Sequence, residues 1–344
     1  MTLIHDIAID PIPLATIVNH RSTRFSGETQ TCRIDEILKQ SVDGLKWLYG
    51  WLRSLGHSRF ENLVEARRVR IEALLTQENL DRVARVSQEL KPEANAPLHV
   101  AFILHDLRGT ALHQIMMIAS AQLAGGSLPR AYKTITILAH DHAKIMRHSV
   151  HGLDEPERLQ DSAQRLHGIV NLDSRFPSMM FHNKSGAVRI DFSRTWSGDI
   201  ATSCSEFSTV LKIIYNFIDN ATRHTNNGLV LIRAYPKSPP EPSAVRLVVG
   251  NSIAELDRSA LKKQGESRLW QGFTTTGSGL GLRAAAALVS EAFGLDGPQS
   301  AVDLDYVGCK ITCAGYVAWM HWPTVPQKVH PEPVASNTNP HETN

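Results

Sequence analysis

The sequence has few cysteines and no long hydrophobic run, and each absence excludes a class of protein. Four cysteines in 344 residues, with no Cys-x-x-Cys pair, are too few for a disulfide framework. No apolar run reaches the roughly 18 residues that a membrane-spanning helix needs. Lys and Arg number 36 and Asp and Glu 34, so the net charge of +2 gives little electrostatic reason to bind nucleic acid or an anionic membrane. We therefore expect a reduced, cytoplasmic protein with no transmembrane segment and no nucleic-acid partner.

Histidine, in contrast, is abundant, with 16 residues in the chain. His140 and His142 suggest a metal site, but side chains two residues apart on a helix point to different faces. No cysteine lies near them and no His-Glu-x-x-His pattern occurs. We expect histidines of a helix surface or a core here, and no metal site.

The hydrophobic pattern divides the chain into a helical part and an α+β part. We expect a multidomain protein, because its length suits two or three domains. Residues 31–93 have helical periodicity, and the sequence does not decide whether this region serves for packing or binds a partner. The predicted units are a flexible N-terminal arm (1–30), the helical region (31–93), a helical hairpin (94–160), an α+β domain (180–322) and a disordered, proline-rich tail (323–344).

The predicted hairpin consists of two long helices joined by the turn Gly-Gly-Ser-Leu-Pro at 125–129. Apolar residues recur every three or four positions along the first helix, which gives it one continuous seam. This seam consists of Val100, Leu104, Leu107, Ala111, Ile115 and Ile118. An isolated hairpin cannot bury both of its apolar faces, so we predict that two copies pair into a four-helix bundle.

In the α+β domain, predicted strands and helices surround two polar motifs. Gly277, Gly279 and Gly281 alternate just before a helix, where backbone amides and the helix N-terminus suit a phosphate. A glycine pattern of this kind is weak evidence by itself, since plain turns share it. Asn216 and Asn220 lie four residues apart on a predicted helix, so their amides share one face and their oxygens suit Mg²⁺.

The asparagine motif continues within one turn to Arg223 and His224, which are placed to meet phosphates. The two asparagines have a plainer interpretation as caps or solvent-facing side chains.

A third motif lies on the apolar helix, where His105 is followed by Asp106. A neutral imidazole has one ring nitrogen free to attack, and a neighbouring acid can orient the ring or take its proton. The alternative is an ordinary surface histidine.

Taken in order, the three motifs resemble those of the sensor histidine kinases of two-component signalling. FILHDLRGTAL is similar to their H box, YNFIDNATRHT to their N box, GFTTT to their F box and GSGLGL to their G2 box. The resemblance covers about residues 97–322. It implies a dimerising histidine-phosphotransfer domain at 94–160, followed at 180–322 by a catalytic α/β sandwich of the GHKL ATPase type.

The resemblance also implies an activity: ATP with Mg²⁺ would phosphorylate His105, and an aspartate in the receiver domain of a separate response regulator would take the phosphoryl group. Carried over motif by motif, Asn216 and Asn220 would bind Mg²⁺ and ATP, and Arg223 and His224 the nucleotide. The remaining carried-over residues are Phe273 and Thr275 of a mobile lid, and Gly277, Gly279, Leu280 and Gly281 of the phosphate loop.

The sequence departs from the family pattern at two positions. Asn251 stands where the family has an acid that reads the adenine amino group, although an amide oxygen can accept the same hydrogen bond. Gly109 stands four residues after the histidine, where the family commonly has Thr or Asn, and we expect kinase activity to exceed phosphatase activity toward the regulator as a result. Because Asn251 replaces that acid, an ATP-binding pseudokinase or phosphotransfer regulator is an alternative to an active kinase. A related ATP hydrolase would instead need a glutamate at Asn216, because an amide cannot act as a base.

Overall fold

The computed structural model describes residues 32–33, 42–57, 64–93, 96–123, 129–163, 166–201, 207–237, 244–265, 270, 280–313 and 315–324. The predicted arm at 1–30 lies outside the described residues, as does the predicted tail beyond Thr324. The helices are α1 (Val42–His57), α2 (Val64–Leu74), α3 (Gln77–Glu89), α4 (Leu98–Leu107), α5 (Thr110–Leu123), α6 (Pro129–Ser149), α7 (Glu155–Ala163), α8 (Val170–Arg175), α9 (Phe207–His224), α10 (Glu255–Gln264), α11 (Leu280–Ala292) and α12 (Pro298–Asp303). The strands are β1 (Cys32–Arg33), β2 (Val150–His151), β3 (Leu166–Gly168), β4 (Met180–Asn183), β5 (Gly186–Arg194), β6 (Asp199–Ala201), β7 (Leu229–Lys237), β8 (Ala244–Asn251), β9 (Val307–Ile311) and β10 (Tyr316–Pro323).

The N-terminal helices pack onto α6. An apolar stripe on α1 is fully buried, and it consists of Leu45, Leu48, Leu52 and Leu55. Helix α1 packs along α6 and also contacts α2 and α3. The two helices approach closely at Gly56, where an added Cβ would lie 2.9 Å from the Cα of His140. Among the described helices, none is long and apolar enough to cross a membrane.

The prediction of one long helix across residues 97–123 is wrong, because the chain forms α4 and α5 with a break between them. The Gly109 amide donates to Asp106 O (3.0 Å), and an added Cβ at Gly109 would lie 2.7 Å from that same oxygen. His142 on α6 donates from Nε2 to the carbonyl of Leu107 (2.9 Å), which satisfies one of the free carbonyls at the end of α4. Gly109 therefore does not continue the helix that carries His105, so the helical spacing from which we expect kinase activity to exceed phosphatase activity is absent, and that expectation stays a prediction.

The apolar seam nevertheless stays buried on both sides of the break, within a single chain. Leu104, Leu107, Ala111, Ile115 and Ile118 are each no more than 5% exposed. Helix α6 packs on α4, α5, α1 and α9, and α5 also packs on α9 and β4. The homodimer stays a prediction, but a second copy is not needed to cover this seam.

The C-terminal half confirms the predicted α+β class. Six strands form one sheet in the order β4-β5-β7-β8-β10-β9, antiparallel except for the β5–β7 pair. Helices α9 and α11 both pack on this sheet. The sequence CKITCAGYVAWMHWP at 309–323, whose pattern predicts a single closing strand, instead spans the antiparallel pair β9 and β10.

The two halves meet at the edge strand β4 and through a buried carboxylate. The Gln114 side chain of α5 donates to His182 O (3.1 Å) and accepts from His182 N (2.9 Å), which covers the open edge of the sheet. On α6, Asp141 accepts hydrogen bonds from Tyr215 Oη of α9 (2.5 Å) and from Arg175 Nη1 (3.1 Å). The helices α5 and α6 and the C-terminal half are thus joined by polar contacts within one chain.

Candidate active site

Helix α9 carries a polar face that is largely shielded from solvent. Its apolar residues enter the main core, while Lys212, Asn216 and Asp219 follow one another at spacings of four and three residues. These three residues are buried although they are polar, each no more than 8% exposed. Buried polar groups need hydrogen-bond or charge partners. The polar face of α9 is therefore a candidate functional site.

Asn216 lies against the first turn of α11. A Cβ added at Gly281 would lie 3.7 Å from Asn216 Cγ, so the glycine leaves the amide room. The buried Asn216 Nδ2 has no hydrogen-bond partner among the described residues. The asparagine motif and the end of the glycine motif are therefore brought together, as the resemblance implies. Leu280 begins α11, whereas Phe273, Thr275, Gly277 and Gly279 lie outside the described residues.

Asn251 ends strand β8 with its side chain buried. Its Nδ2 donates to Ser252 O (3.0 Å), and its Oδ1 has no partner among the described residues. Gly315, just before β10, packs so tightly on this strand that an added Cβ would lie 2.1 Å from Asn251 O. The close contact with Gly315 fixes the position of Asn251, whose side-chain Oδ1 is free to accept a hydrogen bond.

The C-terminal turn of α9 carries the other predicted contacts. Asn220 is half-buried, and Arg223 pairs with Asp219 at 2.5 Å. Burial raises the pKa of Asp219, and the Arg223 guanidinium only partly opposes this effect. Burial also lowers the pKa of His224, which favours its neutral form.

His105 and Asp106 lie near the end of α4, facing α9. Nδ1 of His105 is 3.3 Å from Oδ1 of Asp106, and Lys212 Nζ is 3.4 Å from Asp106 Oδ2. The side chains of Asp106 and Lys212 are 8% and 6% exposed, whereas that of His105 is 21% exposed. Burial by itself would raise the pKa of Asp106, but Lys212 and the His105 hydrogen bond outweigh it and lower this pKa.

The sequence analysis did not identify Lys212 and Asp219 as site residues, although their spacing from Asn216 could have indicated them. Lys212 precedes Asn216 by four residues and Asp219 follows it by three, so all three share one helix face. A buried lysine becomes recognisable as part of the site only once α4 is seen to pack nearby, which the local sequence does not reveal.

The predicted absence of a histidine metal site stays an expectation, and His142 has a structural contact instead. Burial lowers the pKa of His142 to about 4, so it is neutral at pH 7. In the part of the chain that the structure describes, no group of three or more His, Cys, Asp or Glu side chains could hold a metal ion.

Comparison with known proteins finds similar solved structures but no sequence match. No family model matches the chain, and no curated protein matches it. Similar structures include the catalytic domain of histidine kinase ThkA (18% identity, 40% of this chain, 82% of that chain, TM-score 0.29). They also include full-length ShkA in complex with AMPPNP (17% identity, 72% of this chain, 46% of that chain, TM-score 0.30) and a bacterial phosphotransferase (12% identity, 64% of this chain, 93% of that chain, TM-score 0.29).

ThkA belongs to the histidine kinases, the family that the sequence motifs resemble. Because all three TM-scores are below 0.5, the function proposed next rests on this chain's own residues.

Proposed function

We propose that this protein is a histidine kinase that phosphorylates His105 with ATP and Mg²⁺ and passes the phosphoryl group to a separate response regulator. One observation carries the proposal. Asp106, which neighbours the acceptor candidate His105, contacts Lys212, and Lys212 lies one helical turn before Asn216 on α9. The acceptor and the candidate nucleotide residues thus lie on adjoining helices of one packed unit.

The unpaired buried atoms of the site fit a nucleotide. A buried polar atom without a partner costs about 1–3 kcal/mol, and a ligand that supplies the partner relieves that cost. The free Oδ1 of Asn251 can accept a hydrogen bond from an adenine amino group, and the free Nδ2 of Asn216 can donate to a phosphate oxygen. The N-terminal end of α11, next to Asn216, favours a negative charge.

Magnesium fits the same residues. The amide oxygens of Asn220 and Asn216 would hold Mg²⁺ together with phosphate oxygens and water, as hard oxygen ligands do. When bound, the ion would neutralise phosphate charge and so make the γ-phosphorus easier to attack.

The reaction uses His105 as the nucleophile. Asp106 accepts a hydrogen bond from Nδ1–H of the ring, which leaves the lone pair on Nε2. That lone pair attacks the γ-phosphorus and a P–N bond forms, while the bond to the β–γ bridging oxygen breaks and ADP leaves with the electron pair. The Nδ1 proton stays on the ring, whose positive charge faces Asp106. A receiver aspartate then attacks the phosphorus, and the P–N bond electrons return to Nε2.

The first test is the binding of ATP. Asn220→Ala removes a proposed Mg²⁺ ligand, and we expect at least a tenfold weaker affinity, or about 1.4 kcal/mol, by calorimetric titration with ATP and Mg²⁺. Asn79→Ala, at the start of the distant α3, is the control and should leave affinity unchanged.

Three results, from ATP binding, from labelling of the protein and from phosphate release, would contradict the proposal. Absence of ATP binding to the natural chain would overturn it. Binding without labelling of the protein would favour the pseudokinase or phosphotransfer regulator. Steady release of phosphate that survives His105→Ala would favour a hydrolase.

A further inference from the structure

We propose that Lys212 positions His105, acting through Asp106, for phosphoryl transfer from the nucleotide site of the same chain. The inference rests on the proposed kinase function and adds two things to it: a positioning residue outside the predicted site, and the route of transfer.

The geometry is a chain of three side chains from two helices. Asp106 uses its two oxygens for different partners: Oδ1 lies 3.3 Å from His105 Nδ1, and Oδ2 lies 3.4 Å from Lys212 Nζ. Both members of the Asp106–Lys212 pair are almost fully buried. A buried ion pair is costly to break from one side, because the remaining charge is left uncompensated. The pair therefore fixes where Asp106, and with it the His105 ring, can lie.

Lys212 also keeps Asp106 ionised, and the ionised carboxylate is the form that orients the His105 ring. The groups facing Asp106 are His105 from α4, Lys212 from α9 and His142 from α6, with Asp219 further along α9 near His105. His142 is neutral at pH 7, so it does not balance the carboxylate charge. An ionised Asp106 accepts a hydrogen bond from Nδ1–H, which selects the tautomer whose Nε2 can attack. Without Lys212, burial would favour protonated Asp106, and a protonated Asp106 would no longer favour the Nδ1–H tautomer of His105.

Donor and acceptor belong to one chain in this arrangement. Helix α4, with His105, packs against α11, whose first turn lies beside Asn216. The apolar seam that a second copy would cover is already buried within the chain, with α1 packed along α6. The structure thus provides an intrachain route that needs no partner subunit.

The first experiment replaces the lysine. Lys212→Met should lower the rate of His105 labelling at saturating ATP by at least thirtyfold, with ATP affinity unchanged within twofold. The acid limb of its pH–rate profile should move to higher pH, because Asp106 loses its cation. Lys212→Arg keeps the charge and should recover much of the rate. Lys144→Met is the matched control: Lys144 is also a buried lysine paired with an acid, Asp161 at 3.0 Å, but plays no part in this site.

A second measurement does not depend on kinase activity. In protein with ¹⁵N-labelled histidine, the His105 signals, assigned with His105→Gln, should report the Nδ1–H tautomer. This preference should weaken in Lys212→Met and in Asp106→Asn, but not in Lys144→Met. An unchanged rate together with an unchanged tautomer in Lys212→Met would overturn the positioning role. A natural chain that shows the tautomer effect but is never labelled by ATP would instead overturn the proposed function.

The intrachain route is tested by mixing two defective chains that differ in size by a tag. His105→Gln keeps the nucleotide site, and Asn220→Ala keeps the acceptor histidine. We expect no label above that of either chain alone, and a labelling rate per natural chain that is constant over a hundredfold range of protein concentration. Label on the Asn220→Ala chain of the mixture would show transfer between chains and contradict the route.

Discussion

The interface between the two halves and the face of α9 differ in how they treat buried polar groups. At the interface, polar groups of the two halves pair with each other: the Gln114 amide uses both its donor and its acceptor on the His182 backbone, and Asp141 Oδ2 accepts from Tyr215. Asp141 Oδ1 and His182 Nδ1 are nevertheless buried with no partner among the described residues. On α9 and β8, Asn216 Nδ2 and Asn251 Oδ1 are buried and have no partner among the described residues. The interface groups bind each other and so hold the two halves together, whereas the amides of Asn216 and Asn251 lie at the candidate site and keep an atom that the proposed nucleotide could pair. The predictions that follow test the structural side of this comparison.

The largest effect should come from the buried carboxylate between the halves. Asp141→Ala removes the shared acceptor of Tyr215 and Arg175, and breaking a buried pair costs about 3–5 kcal/mol. We expect the free energy of unfolding in urea to fall by that amount. Asp173→Ala is the control, because its pair with Arg194 is partly exposed and should contribute less than about 1 kcal/mol. Equal losses in the two variants would contradict the distinction.

His142 should make stability depend on pH. Its folded pKa is about 4 against 6.5 in the unfolded chain, so the unfolded state binds the extra proton between these values. Stability should therefore fall as pH drops from about 6.5 towards 4, by an amount on the order of 3 kcal/mol.

His142→Gln keeps a donor for Leu107 O but cannot titrate, so its urea unfolding free energy should fall less between pH 7 and pH 4 than that of the natural chain. His57→Gln, at an exposed position of α1, should keep the full pH dependence. If the pH dependence of the unfolding free energy decreases equally in both variants, a group other than His142 causes it.

The smallest effect concerns two glycines of α1. At Gly56 an added Cβ meets the α6 backbone at 2.9 Å, whereas at Gly50 it meets nothing within 4 Å. We expect Gly56→Ala to destabilise by about 1–3 kcal/mol through overpacking. Gly50→Ala should stabilise by up to about 1 kcal/mol, because alanine favours the helix. Thermal unfolding of the two variants measures this, and a change of the same sign in both would mean that α1 does not pack here as described.

Sequence reasoning was more successful in the α+β half than in the helical half, for a physical reason. Hydrophobic patterning identified most strands of the sheet and both α9 and α11, because the apolar residues of each element are buried in the core. The apolar seam is buried as predicted from Leu104 to Ile118, and Val100 is partly buried. Because this burial continues across the break at Gly109, the hydrophobic pattern conceals the break. The contacts of Lys212 with Asp106 and of α1 with α6 join distant segments, and no local pattern encodes them.

The central claim is that His105 takes the phosphoryl group of ATP, and site-resolved phosphohistidine detection tests it most directly. The purified chain is incubated with γ-labelled ATP and Mg²⁺, and acid-labile, base-stable label is mapped to individual histidines. His99→Ala is a matched control, because His99 lies exposed on the same helix α4. The account predicts label on His105 in the natural chain and in His99→Ala, and none in His105→Ala or Asn220→Ala. Label that persists in His105→Ala, or a natural chain that binds ATP and stays unlabelled, would contradict it.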